Sequence, residues 1–77
     1  MKEPKTYQIY LLHLIGGDII EVPELYELPF EKGIVEKIQK SDKDEFITVG
    51  NAVDGFAYIP VRNIVYVSTG DVRESWL

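Results

Sequence analysis

The stretch GFAYIPVRNIVYVSTG, residues 55–70, constrains the fold more than any other part of the chain. Apolar side chains alternate up to Pro60, polar Arg62 and Asn63 follow, and apolar side chains resume at Ile64. Strands are rich in β-branched and aromatic residues, and a proline, which has no backbone N–H, borders or ends a strand. The stretch therefore predicts two short strands joined by a tight corner.

The N-terminal third of the chain predicts another pair of strands. Residues 6–15, TYQIYLLHLI, are rich in aromatic and branched side chains, and IIEV follows a GGD turn at 16–18. Glycine adopts the positive φ angles that a tight hairpin turn needs. We therefore expect a β-hairpin whose second strand ends at Pro23, followed by a long excursion over 23–32 with at most one helical turn.

Residues 30–41, FEKGIVEKIQKS, fit either a helix or a strand. Their apolar residues fall on one helical face, and lysine and glutamate recur four residues apart, which favours a helix. Against it, Gly33 lies inside the segment, no capping residue precedes it, and the apolar residues that follow are all β-branched. We expect a strand that begins at Gly33, with a helix over 30–40 as the alternative, and a further strand at FITVGN.

Together these elements predict a small, mainly β protein. A chain of 77 residues has room for one domain, residues 1–77, with tails expected at 1–5 and 71–77. So few short strands bury a core only if the sheet bends sharply on itself, as small barrels do. We predict a strongly bent antiparallel sheet or barrel of five to six strands, with room for one short helix, and an α+β fold as the alternative.

Composition narrows the classes of function. The net charge of −5 repels phosphate, and the lysines between residues 32 and 43 alternate with acids, so nucleic acid is a disfavoured partner. The longest apolar stretch, residues 9–15, is too short to cross a membrane, and no apolar signal segment is visible, so the expected location is cytoplasmic. The absence of cysteine excludes disulfides and thiolate chemistry.

Candidate catalytic groups are few. His13 is the single histidine of the chain, and alternation in a strand places it either with Leu11 and Ile15 on a core face or alone towards solvent. Metal sites usually gather several histidines, cysteines or carboxylates, and the acidic residues at 42–45 lack the spacing of a calcium loop. We expect no catalytic residue, no metal, no cofactor and no enzyme activity.

The corner and the C-terminal tail supply the candidate binding residues. The candidates are Arg62, Asn63, Tyr58 and Tyr66 for a ligand, and Trp76 and Leu77 for a partner contact. A guanidinium beside an amide offers several hydrogen-bond donors, and the flanking tyrosines offer stacking faces. A bend that only satisfies local backbone carbonyls is the plainer alternative for the corner. The tail aromatic either packs on its own domain or anchors a partner.

The order GIVEKIQKS, polar turn, EFITVGN, FAYIP and NIVYV resembles the strand succession of the Sm-like small barrels over about residues 7–68. The resemblance implies a strongly bent five-stranded sheet. It also implies binding of single-stranded RNA, typically as rings, through an Asp and an Asn in one turn and an Arg-Gly pair at the last corner. Here the turn has Asp42 and Asp44 without an Asn, and Pro60 and Val61 stand where Arg-Gly is expected.

The expected function is a non-enzymatic binding or assembly module that forms a homo-oligomer or binds a protein partner. Open sheet edges and the C-terminal tail are the expected contacts, because a chain this small has little material to cover them. In NIVYVSTG, Ile64 and Tyr66 alternate with Val65 and Val67, which predicts a last strand that is covered on both faces. An Sm-like protein that binds single-stranded RNA is the alternative function.

Overall fold

The structure, a computed structural model, describes residues 4–75 and is mainly β. Its elements are β1 (Lys5–Leu14), β2 (Ile19–Leu25), α1 (Ile34–Lys40), β3 (Phe46–Asn51), β4 (Gly55–Pro60) and β5 (Ile64–Ser75), with 3-10 turns at Phe30–Lys32 and Val61–Asn63. The described strands form two antiparallel sheets, one in the order β2-β1-β5 and one of β3 and β4. The predicted mainly β class with one short helix is confirmed, but the strands form two separate sheets rather than one bent sheet or a closed barrel.

The first hairpin confirms the prediction from the GGD turn. Gly16 and Gly17 have φ angles of 98° and 97°, and His13 pairs with Ile19 across the turn. The predicted strand end at Pro23 is wrong, because β2 continues to Leu25. Proline is tolerated here because β2 is the outer strand of its sheet, where a residue can turn its missing N–H away from its single partner strand.

The predicted strand that begins at Gly33 is wrong, because residues 34–40 form α1. Gly33 precedes the helix in an extended conformation, and the cap that the segment lacks comes from β2, where Glu24 Oε2 accepts a 2.7 Å hydrogen bond from Ile34 N. An i,i+4 ion pair of 3.2 Å between Glu36 and Lys40 also stabilises the helix. With a helix in this place, no strand joins β2 to β3, which explains why the sheets are separate.

The hydrophobic core lies between the two sheets and α1. Its buried members are Leu12, Val22, Ile34, Ile47, Val49 and Ile59. Partly buried residues pack around them, namely Tyr10, Leu14, Ile20, Val35, Ile38, Ala57, Val61, Ile64 and Val67. On β1 to β4 these residues alternate with others along the strand, so each sheet has an inner face on the core and an outer face directed away from it.

Two β-bulges interrupt the pairing of β5 with β1. The first lies at Val65, because His13 pairs with Tyr66 whereas Leu14 pairs with Ile64. The extra residue breaks the alternation that the sequence predicted, so Ile64 packs on the core while Tyr66 lies on the outer face.

The second bulge holds Gly70 and Asp71 opposite Ile9, since Gln8 pairs with Val72 and Tyr10 with Thr69. The side-chain amide of Gln8 donates 3.0 Å hydrogen bonds to the carbonyls of Gly70 and Ile9. The strand does not end at Gly70 as predicted but runs to Ser75, so part of the expected tail belongs to the sheet.

Candidate functional site

The corner between β4 and β5 makes tertiary contacts with two other parts of the chain. Arg62 forms an ion pair with Asp44, and its Nε donates a 3.4 Å hydrogen bond to the carbonyl of Lys43. The carbonyl of Asn63 accepts a 2.8 Å bond from the backbone N–H of Ile15. These contacts join the corner to the turn before β3 and to the end of β1.

The two candidate tyrosines lie on different sheets, Tyr58 on β4 and Tyr66 on β5. Tyr66 stacks on His13 with ring centroids 3.9 Å apart, and His13 Nε2 lies 2.8 Å from the hydroxyl of Ser68. His13 is therefore neither on a core face nor alone in solvent. The structure does not bring the corner pair and both tyrosines into one site, and the remaining candidates, Trp76 and Leu77, lie outside the described residues.

Exposed aromatic residues lie together on the outer face of the β3–β4 hairpin, which we call the aromatic face. It comprises the alternate residues Phe46, Thr48 and Gly50 of β3 and Phe56, Tyr58 and Pro60 of β4. Phe46, Phe56 and Tyr58 are 62%, 55% and 67% exposed, and none of the six residues is charged. Contiguous exposed apolar surface of this kind marks interaction sites in soluble proteins.

Sequence reasoning identified Tyr58 but missed Phe46 and Phe56. The signal was available in the alternation of β3 and β4, because Ile47 and Ile59, which pack in the core, pair directly with each other. Residues at even positions on both strands must then share the opposite face.

Charged groups border the aromatic face. The Arg62–Asp44 ion pair lies at the end of the hairpin where Phe46 pairs with Pro60. A cleft of about 450 Å³ runs between α1 and β3, and its lining includes Lys37 and Lys40 beside Phe46. An apolar centre with a polar rim is the usual anatomy of a protein interface.

The outer face of the three-stranded sheet is arranged differently. Arg73 on β5 forms ion pairs of 3.0 Å with Asp71 and 3.2 Å with Glu21 on β2. Because Tyr7 pairs with Arg73 and Leu11 with Glu21, the Arg73–Glu21 ion pair crosses β1 at the level of Ile9, which is 3% exposed. The hydrogen bond from Arg73 lowers the pKa of Asp71, and the bond to Asp71 raises the pKa of Arg73.

Within residues 4–75, no group of three or more His, Cys, Asp or Glu side chains is placed to hold a metal ion. No helix in this part of the chain has the length and apolar character to span a membrane. Comparison of the chain with protein-family models, with curated proteins and with solved structures gives no match.

Proposed function

We propose that this protein is a non-enzymatic assembly module that associates with copies of itself through the aromatic face. The observation that supports it is the uncharged outer face of the hairpin, with Phe46, Phe56 and Tyr58 each more than half exposed. Aromatic side chains are enriched at interfaces because they bury a large area at a low cost in conformational entropy.

The lack of charge on the aromatic face permits a second copy as its occupant. The chain carries a net charge of −5, so most contacts between two copies bring carboxylates together. The aromatic face has no charged residue and therefore avoids this repulsion when two copies pack across a two-fold axis, where each presents the same patch. Self-association through this face therefore places no charged side chain of the face opposite its own copy.

The available area suits a contact of moderate strength. Aromatic side chains of roughly 150–250 Å² each, more than half exposed, offer on the order of 350 Å² in total. Each partner in a standard interface buries about 800 Å², so the rim and a free strand edge must supply the rest. Among the described residues β4 pairs only with β3, which leaves its other edge open beside the aromatic face. Sheet edges and the C-terminal tail were the contacts expected from the sequence.

The test is the oligomeric state of Tyr58→Glu, measured by sedimentation equilibrium over a wide range of concentrations. The substitution places two like charges in the proposed contact, so we expect the dissociation constant to rise by at least about tenfold. Ile19→Glu is the matched control, because Ile19 is 54% exposed on the other sheet. Its dissociation constant should stay near that of the parent.

A parent chain that remains monomeric at millimolar concentration contradicts the proposal. So does a Tyr58→Glu protein that associates as tightly as the parent and the Ile19→Glu control. Circular dichroism of each variant distinguishes loss of the contact from unfolding. We expect Tyr58→Glu to remain folded, since Tyr58 is not part of the core cluster.

The Sm-like, RNA-binding function is the second candidate, and the same surface favours it. Three exposed aromatic rings on one sheet face suit the stacking of successive bases. The net charge and the pairing of Arg62 with Asp44 oppose it. A fluorescence titration with a labelled uridine decamer at low salt tests this function, because electrostatic attraction to phosphate is strongest there. A flat titration rejects it.

A further inference from the structure

A separate cleft of about 370 Å³ lies where the connection from β2 to α1 passes the end of the three-stranded sheet. Its lining includes the aromatic residues Tyr10, Tyr26 and Phe30, the acidic Glu24, and the aliphatic Leu28 and Val35. The volume falls in the range of small-ligand sites, about 300–1,000 Å³. Aromatic rings around a single carboxylate are the chemistry that attracts an organic cation.

The position of Glu24 in this cleft is fixed by its contacts. Its Oε2 accepts the 2.7 Å hydrogen bond from Ile34 N, so the carboxylate cannot swing away without uncapping α1. A Cβ atom on Gly33 would come within 2.9 Å of Glu24 Oε1, so the glycine leaves room for the carboxylate. Glu24 is a partly buried residue, which strengthens its attraction for a cation compared with a fully solvated group.

The electrostatic surroundings of the cleft are acidic. No ion pair within residues 4–75 includes Glu24, Glu27 or Glu31, whereas Glu21 and Glu36 are paired. Lys32 is the one basic residue between 21 and 33. The segment therefore keeps a net negative charge beside the aromatic rings, and a cation is the complementary occupant.

We propose that this cleft binds a lysine or arginine side chain from a basic segment of a different protein. The cationic head would lie against the rings of Tyr10, Tyr26 and Phe30, near Glu24, and the aliphatic stem against Leu28 and Val35. A protein segment fits better than a free small cation, because Tyr26 and Phe30 are 61% and 58% exposed at the rim and offer apolar surface to flanking residues. The net charge of −5 steers a basic partner towards this chain.

The test compares two peptides that differ only in the charge. Acetyl-Ala-Lys-Ala-amide and its norleucine counterpart share an aliphatic stem, and each is titrated into labelled protein while the amide resonances are followed by NMR. We expect the lysine peptide to shift the amides of Tyr26, Phe30 and Val35, and the norleucine peptide to bind at least about fivefold more weakly. Equal binding of the two peptides overturns the proposal, as do shifts confined to the aromatic face or no shifts at all. Choline that binds as tightly as the lysine peptide also overturns it, since the site then recognises a free cation.

Two variants locate the site. Glu24→Gln retains an acceptor for Ile34 N but removes the charge, and we expect it to weaken binding of the lysine peptide about fivefold or more while the norleucine peptide is unaffected. Tyr26→Ala should weaken it by about threefold or more, whereas Tyr66→Ala, on the outer face of β5 and 56% exposed, should not. Thermal melts identify any variant that has unfolded. Folded Glu24→Gln and Tyr26→Ala proteins that bind like the parent overturn the proposal.

Discussion

The outer faces of the two sheets differ in how far their apolar side chains are covered by other side chains of the chain. On the three-stranded sheet, Arg73 crosses the middle strand to Glu21, and Tyr66 stacks on His13. On the hairpin, Phe46, Phe56 and Tyr58 remain exposed, with no charged side chain among the residues of that face. A third strand gives the larger sheet long side chains that reach over its apolar centre, whereas a two-stranded hairpin has no neighbour to supply them.

This difference separates the two outer faces. Ile9, at the centre of the outer face of the three-stranded sheet, is as buried as a core residue, so that part of the sheet is covered within the chain, although Tyr66 on the same face is 56% exposed. Apolar area that its own chain leaves in water is stabilised only when another molecule covers it. The aromatic face is therefore the surface that we propose for association, and four predictions test the contrast.

The largest expected effect is on the hairpin itself. Gly50 has a φ angle of 116°, and a Cβ atom there would collide with the carbonyl of Gly55. We expect Gly50→Ala to lower the free energy of unfolding by about 4 kcal/mol, from backbone strain plus the collision. Gly55→Ala is the control, because its φ angle is similarly positive but the space around it is open, and it should lose about 1 kcal/mol. Urea denaturation that shows equal losses contradicts the prediction.

The second prediction compares one outer-face residue from each sheet. Ile9→Ala should lower the free energy of unfolding by about 3 kcal/mol, because it opens a cavity at a site that is 3% exposed. Phe46→Ala should change it by less than about 1 kcal/mol in the monomer, because the ring is mostly in water. The measurement is urea denaturation at low protein concentration. A larger loss for Phe46→Ala would show that the hairpin face is the covered one.

The third prediction concerns the stacked pair on the three-stranded sheet. Tyr66→Asp removes the contact with His13 and exposes the neighbouring apolar surface, so we expect a loss of about 1 kcal/mol. A last strand covered on both faces, as the sequence predicted, would instead lose more than about 2 kcal/mol. A loss above that value in dilute protein would contradict the exposed position of Tyr66. Arg62→Ala, at the exposed corner, should stay within about 0.5 kcal/mol.

The smallest effect is a pH dependence on the same sheet. The hydrogen bond from Arg73 lowers the pKa of Asp71 below its ordinary value of 3.8. A lowered folded-state pKa means that the ion pair contributes to stability above about pH 3.8 and that the contribution disappears as the pH falls through the folded pKa. Carbon-13 NMR titration should show the pKa of Asp71 rising towards its ordinary value in Arg73→Gln. An unchanged pKa would contradict the ion pair.

The sequence predicted the strands well wherever local chemistry decides the structure. The GGD turn, FITVGN, and the proline at the end of β4 each carry their own signal, and each lies where expected. It failed at residues 34–40, where the cap for the helix comes from Glu24 on a strand ten residues earlier. The helix propensity of residues 34–40 does not reflect that contact, because Glu24 lies outside the segment.

The candidate site could be predicted only in part. Tyr58 was named, but its neighbours on the aromatic face become visible only when the pairing of β3 with β4 fixes their register. The bulge at Val65 had no signal in the sequence, because an inserted residue in one strand is defined by the partner strand opposite it. The corner pair was placed correctly at a bend, and its contacts with the turn before β3 are tertiary.

The capping of α1 by a strand has a consequence for how the fold is assembled. A seven-residue segment is far below the length at which an isolated helix persists in water, so α1 exists only while Glu24 and the core hold its first turn. Its backbone amides should then exchange hydrogen with solvent at the rate of global opening rather than by local fraying. The Ile34 amide donates its hydrogen bond to Glu24 on β2. The exchange rate of this single amide therefore reports whether the three-stranded sheet is intact.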